Sequence, residues 1–468
     1  MSTGDAQDRA GSGDDDFNDL QRLLRDLLSG AGGPLGPGID PQEFAKAAGL
    51  PGDPAALQGL FTAMQAAMRQ PSDEIDWALT RRLAGELAAT PTEIVDPAPV
   101  LRAFPVASLW LDEVTELGPL VDAPRAISRV EWVRQSVDTW ISLAEPVAEA
   151  ISASLTDALT RQLPEELSAA MGGFAPMLRS VGGALFATQL GQIVGKLSHE
   201  VAAGGDVGIP LFTGPGREGG TLIPSGVAAF AEGLDQDSEA VTLYLAVREL
   251  AHARLFRHAK WLRLHLTTAI TDFARGMRLD TSQLEDLARD LDPSDTERIQ
   301  QLVSSGALIP PKTPEQEAAH ARLETMLALI EGWVDVVTSA AVSRLPGADA
   351  IGEMVRRRRA AGGPAEHAFG TLVGLELRPR RSREAASVWR LVADRGGLSQ
   401  RDGLWAHPDV LPTAEELDNP ELLLARLGIA SDGPAASASD AFDRELAQLL
   451  DGDLPPASET QNPDDPER

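Results

Sequence analysis

The chain has 468 residues, with 70 Asp and Glu against 41 Lys and Arg, a formal net charge of −29 and no cysteine. That charge argues against general nucleic-acid or anionic-membrane binding, because phosphates would repel it. The missing cysteine excludes disulfides, thiolate chemistry and cysteine-ligated zinc. No apolar run is long enough to span a bilayer, and the opening MSTGDAQDRAGSGDDDF lacks a signal-type apolar stretch. A cytoplasmic protein is expected.

Residues 1–16 are polar and expected to be disordered. Phe17–Leu28 is patterned as a short amphipathic helix, and the Gly/Pro-rich stretch 29–38 reads as a linker. The organisation expected is an arm over 1–38, a helical body over 39–428 and a disordered acidic tail over 429–468. Asp40, Pro41 and Glu43 form a helix start. Helices are predicted next over Pro54–Met68, Ile75–Ala89, Ala107–Glu116, Val130–Leu143 and Pro146–Leu163. Trp77, Trp110, Trp132 and Trp140 fall on their apolar faces as core residues.

Met171–Ala203 carries small residues every four positions, Gly183, Ala187, Gly191 and Gly195, and His199 continues the stripe. Glycine inside a helix costs about 1 kcal/mol relative to alanine, so a second helix crossing very closely is expected there. His199 reads as a helix-end histidine with its own partner. The stretch 204–234 is broken by Gly and Pro and holds two short β-like runs, Ile209–Thr213 and Thr221–Pro224. A small hairpin or edge sheet is predicted ahead of the next helix.

That helix, Thr242–Arg275, carries the chemistry. Val241, Leu245, Arg248, His252, Leu255, Ala259, Leu262 and Leu266 alternate by threes and fours and share one buried stripe. A buried arginine requires an anionic partner, which for Arg248 is Glu249 or a carboxylate from elsewhere. The stretch Arg248-Glu249-Leu250-Ala251-His252 is one letter from HExxH, in which two histidines four apart hold zinc and the glutamate between them activates water. Arg248 stands where the first histidine belongs, and a guanidinium stays cationic and does not ligate a metal.

Leu279–Ser305 reads as one or two small acidic helices. Thr313, Pro314 and Glu315 start a long helix to Arg344, with Glu331 and Asp335 four apart on one face. Met354–Ala361, with Arg356 to Arg359, is followed by a Gly-Gly-Pro break and then by Ala365–Leu377; Glu384–Ala393 is amphipathic, and Ala414–Leu427 reads as the last packed helix. Between Ile351 and Arg401, eleven arginines stand against five carboxylates, an asymmetry expected to be neutralised by acids of the same fold.

Three blocks, LYLAVRELAHARLFRHAKWLRLHL, LALIEGWVDVV and RRRRAAGGPAEHAFGTLVGLELRPRRSREAASVW, resemble in order the actinobacterial zincin-like metallopeptidase family, also described as zinc-dependent metalloproteases or hydrolases. The resemblance spans about Phe17 to Leu427. It implies a mainly α, zincin-like helical domain acting on a peptide or protein. It also implies Glu249 as general base, with His252 and the later-helix Glu331 as zinc ligands. This chain departs from that pattern at Arg248.

Two functions follow. One is a pseudoenzyme in which Arg248 occupies the cation position, bound by Glu249 and Glu331, with a binding or regulatory role toward a partner. The other is an active zinc hydrolase, which needs a third protein ligand from outside the motif. His258 lies nearly opposite His252 on the helix, and His265 is about 20 Å along it. His199, His320, His367 and His407 could approach only through the tertiary fold. A third pattern, Glu249-x-x-His252 with Glu317-x-x-His320, matches the paired ExxH of di-iron helices.

Overall fold

In the computed structural model, residues 75–91, 95–162, 174–212, 214, 216–275 and 313–429 are described, and most of them are helical. The predicted arm, the helices before Ile75, the acidic helices of 279–305 and nearly all of the tail lie outside them. The order is α1 (Trp77–Ala88), α2 (Ala98–Asp112), β1 (Arg125–Ala126), α3 (Arg129–Gln162), α4 (Phe174–Glu200), β2 (Thr221–Leu222) and α5 (Pro224–Glu232). It continues with α6 (Ser238–His258), α7 (Trp261–Arg275), α8 (Pro314–Ala341), α9 (Ala348–Ala361), α10 (Pro364–Val373) and α11 (Ser382–Gly403). Two short helices close it, α12 (Ala414–Asp418) and α13 (Pro420–Arg426).

The small-residue stripe of α4 does what its spacing requires. At Gly191 a Cβ would lie 3.0 Å from the Thr80 carbonyl oxygen, and at Gly195 it would lie 2.6 Å from Leu87 Cβ. The backbones of α1 and α4 meet there, and Thr80 Oγ1 donates to the Ala187 carbonyl at 2.8 Å. His199 ends the stripe, its Nε2 3.1 Å from the Leu87 carbonyl. Trp132 and Trp140 are fully buried, whereas Trp77 and Trp110 pack at the core's edge.

Several boundaries differ from expectation: α2 starts at Ala98 and not Ala107, α11 runs on to Gly403 and not Ala393, and two further differences bear on the packing. α3 runs through Pro146 without ending, its neighbours Ala144, Val147 and Ala148 all being buried. Packing there outweighs the one backbone hydrogen bond that proline removes. Conversely, Thr242–Arg275 is two helices. Ala259 leaves the helical region (φ −88°, ψ 68°), and the chain restarts at Trp261. No Gly or Pro marks this break, but Ala259 and Leu262 are both buried, so the turn is dictated by what α6 and α7 each pack against.

The small sheet is not a hairpin. β2 pairs in parallel with β1, Arg125 with Thr221 and Ala126 with Leu222, and an antiparallel bridge joins Leu222 to Ala203. Ile209–Phe212, read as β-like, stays outside the sheet. Its extended pattern reflects burial, since Ile209 and Leu211 are core residues.

α6 passes through the centre. From Tyr244 to His252 every residue is buried. Arg254, 2 % exposed, ties it to α2 by donating to the Ser108 carbonyl (3.1 Å) and pairing with Asp112 (2.7 Å). Behind α8, the buried Asp402 carboxylate accepts from Thr115 Oγ1 (2.7 Å), the Glu116 amide (2.8 Å), Trp333 Nε1 (2.9 Å) and Arg401 Nε (2.7 Å). It joins the segment after α2 to α8 and α11.

Most arginines of the 351–401 stretch for which contacts are described find carboxylates within the fold. Arg356 and Arg390 reach Asp335, Arg378 and Arg380 reach Glu376, and Arg381 reaches Asp418.

Candidate functional site

The site forms where α6, α8 and α9 meet beneath the loop 201–208. Arg248, Glu249 and His252 come from α6, Glu331 from α8 and Arg359 from α9. The first four are 2–5 % exposed. Arg248 Nη2 donates to Glu331 Oε2 at 2.6 Å. The other oxygen, Oε1, faces His252 Nε2 at 3.4 Å and Arg359 Nε at 3.3 Å. Neither contact has hydrogen-bond geometry, and all three atoms lack a hydrogen-bond partner in the structure. Arg359 also lies 3.7 Å from Glu366.

Glu249 does not join that cluster. Its Oε2 accepts from the Gly205 amide at 2.8 Å and its Oε1 from the Thr221 amide at 2.7 Å. The small sheet delivers both donors. Asp206 Oδ2 accepts from the Ala202 and Ala203 amides (2.6 and 3.1 Å), folding the loop tightly. Gly204 N then donates to the Thr221 carbonyl at 2.8 Å, bringing the loop and β2 together over Glu249. Gly205 is required by space, since a Cβ there would lie 2.9 Å from Glu249 Oε2 and 3.0 Å from His252 Cγ. Gly208, at φ 78°, covers the ion pair, and a Cβ would lie 3.1 Å from Glu331 Oε1.

The electrostatics separate the two carboxyls. Burial pushes Glu249 up to about 8, against the pull of the two amides and Arg248. Burial acts in the same direction on Glu331, but the guanidiniums of Arg248 and Arg359 outweigh it and hold that carboxyl well below the usual range. Burial opposes the charge on Arg248, and Glu331 more than compensates, raising it. His252 is lowered by burial despite Glu331 beside it, which favours neutral imidazole.

Glu249 and His252 also line an open cavity of about 260 Å³, walled by Gly204, Gly205, Phe212, Phe256, Arg257 and Lys260 among others. An HExxH-like segment thus lies on a buried helix, with a short strand over its glutamate, a later-helix glutamate opposite its histidine and a cavity alongside.

The zincin-like metallopeptidase family matches residues 75–424, three-quarters of the chain. This chain belongs to that family. No curated protein matches it. Its fold is similar to the crystal structure of "a putative hydrolase with a novel fold" from Chloroflexus aurantiacus, at 19 % identity and TM-score 0.52, over 76 % of this chain and 99 % of that one.

The zincin ligand set fits poorly here. Arg248 supplies no lone pair, Glu331 is neutralised by two guanidiniums, and the Glu249 oxygens are held by backbone amides. Among the described residues no group of three or more His, Asp or Glu is placed to hold a metal ion. The other histidines do not complete one. His258 is exposed, His265 packs edge-on against Trp261, and His367 and His407 make local backbone contacts. The paired ExxH pattern does not assemble, since Glu317 is exposed in the first turn of α8 and His320 faces Glu324 at 4.0 Å.

Arg359 and the two amides on Glu249 were not singled out by sequence. For Arg359 the sequence holds no signal beyond a run of four arginines. His252, Ala253, Phe256 and Arg257 follow Glu249 at helical spacings of three, four, seven and eight, which was a usable sign of a shared wall.

Proposed function

We propose that this protein is a zincin-like metallopeptidase homologue working without zinc, in which a tethered guanidinium takes the place of the metal and the site serves to bind or regulate a peptide or protein partner. The observation that carries this reading is the buried Arg248–Glu331 pair at 2.6 Å. The residue in the first ligand position is there the counter-ion of the residue in the third. A charge-assisted hydrogen bond from a guanidinium to a carboxylate is a strong contact, and it neutralises Glu331 without any metal. Elemental analysis of protein expressed in zinc-replete medium tests this. Less than about a tenth of an equivalent of zinc is expected, and one tightly held equivalent overturns it.

A second reading keeps hydrolysis. Glu249 and His252 both line the cavity, and a carboxyl raised to about 8 by burial suits proton transfer near neutral pH. Under this reading the protein is an active zinc-dependent hydrolase or peptidase with Glu249 as general base and ligands recruited around His252. Peptide cleavage that chelator abolishes, zinc restores and Glu249→Gln removes would favour it over the first.

A further inference from the structure

We infer that the cavity beside Glu249 and His252 binds an amphiphilic organic acid, its carboxylate at a basic mouth and its apolar group against Phe212 and Phe256. The wall is a continuation of the motif. Glu249, His252, Ala253, Phe256, Arg257 and Lys260 succeed one another along one side of α6 and its C-terminal end, and all line the cavity. Arg217 from the loop before β2 and Arg263 from α7 complete the rim, giving four cations against Glu218 and Glu249. In a chain of net charge −29 such a local excess of positive charge is a feature that charge complementarity explains.

The cations are available. Among the described residues Arg217 and Lys260 have no carboxylate within ion-pairing distance, and Arg257 reaches only Glu218, at 3.6 Å with both side chains partly exposed. Arg263 is different. Its Nη2 donates to the Phe212 carbonyl at 2.7 Å, which fixes the guanidinium at the rim, and burial lowers it from the ordinary arginine range without discharging it, a desolvation cost that an arriving anion would offset. Inside the rim, the buried Ile209 and Leu211 and the two rings give one side an apolar lining, next to the polar wall of Glu249 and His252. At about 260 Å³ the space is just under the ~300–1,000 Å³ of drug-sized sites. The apolar part is therefore a single aryl or branched alkyl group. A free arylalkanoic acid and the C-terminal residue of a peptide present the same chemistry.

This inference rests on the zinc-free reading, because the carboxylate is held by cations and not by a metal. Isothermal titration calorimetry on the full chain, with and without chelator, tests it. The probes are phenylbutyrate with its alcohol and amine analogues, and N-acetyl-glycyl-phenylalanine with a free or amidated carboxyl. At least one free acid is expected to bind about tenfold tighter than its neutral analogue in chelator. Lys260→Glu should weaken that binding about tenfold, and Lys196→Glu, on α4 outside the cavity, should leave it unchanged. The two acids' relative affinities identify the source. Acids and neutral analogues binding alike in zinc-free protein, no acid binding at about 1 mM, or Lys260→Glu without effect overturns the inference alone. Acid binding that chelator abolishes and zinc restores overturns it together with the zinc-free reading.

Discussion

At Arg248 one residue decides what a site can be. Its guanidinium and the Glu331 carboxylate are both buried, so removing one strands the other. Arg248→Ala is expected to destabilise the protein by about 3 kcal/mol, at the low end for a broken buried pair because Arg359 still faces Glu331. Chemical denaturation checks this. A loss under about 1 kcal/mol would mean that the pair contributes no more than a surface bridge. Arg248→His restores two histidines four apart, with Glu331 already facing both positions. It should raise bound zinc from a trace to about one equivalent by elemental analysis, and no gain would show that Arg359 holds Glu331 too firmly. Arg248's burial and its need for a carboxylate were legible from the stripe through Val241, Leu245 and Leu255. Which carboxylate was not: Glu249 is next in sequence but faces the other way, drawn to two amides that no side-chain pattern records.

Among the elements, the crossing of α1 on α4 depends on glycines that have no room to grow. Gly195→Leu would drive a side chain into Leu87 and toward the Ala84 carbonyl. It is expected to lower stability by about 2–3 kcal/mol, read as a fall in denaturation midpoint, while the same change at Gly85, where a Cβ meets nothing within 4 Å, should cost about 1 kcal/mol at most. Here sequence and structure agree because the spacing of four is itself the geometry. They part at Ala259 and Pro146. The first is a break without a breaker and the second a breaker without a break, and both are settled by packing against helices far along the chain. The strand at Thr221 was legible, but its partner Arg125 was not, since parallel pairing across such a distance leaves no local turn to read.

For the whole molecule, the buried charges set a pH response. Glu249 binds its proton more tightly in the folded state, up to about 8 against 4.5. Its contribution is complete below pH 4.5 and is lost as pH rises through about 8. His252 and Glu331 are lowered from 6.5 and 4.5, so theirs is present above those values and shrinks as pH falls below them. Stability should therefore decline on both sides of a middle range. Glu249→Gln should flatten the alkaline decline and leave the acid one, as thermal melts across pH would record. An unchanged alkaline limb would place its cause elsewhere.

Asp402 gives the molecule an order of construction. The carboxylate that gathers Thr115, Glu116 and Trp333 is made only after α6, α8 and α9 have all emerged, and Trp333 is two residues from Glu331. At about 5–20 residues per second, a nascent chain carries its charged cluster for several seconds before the clamp behind α8 exists. The last long helix thus acts as a latch on chemistry encoded well upstream of it. A chain ended after Arg380 is expected to be synthesised but not to accumulate as soluble protein, checked by expression and fractionation. Release of such a fragment in soluble, cooperatively unfolding form would show that the cluster holds itself.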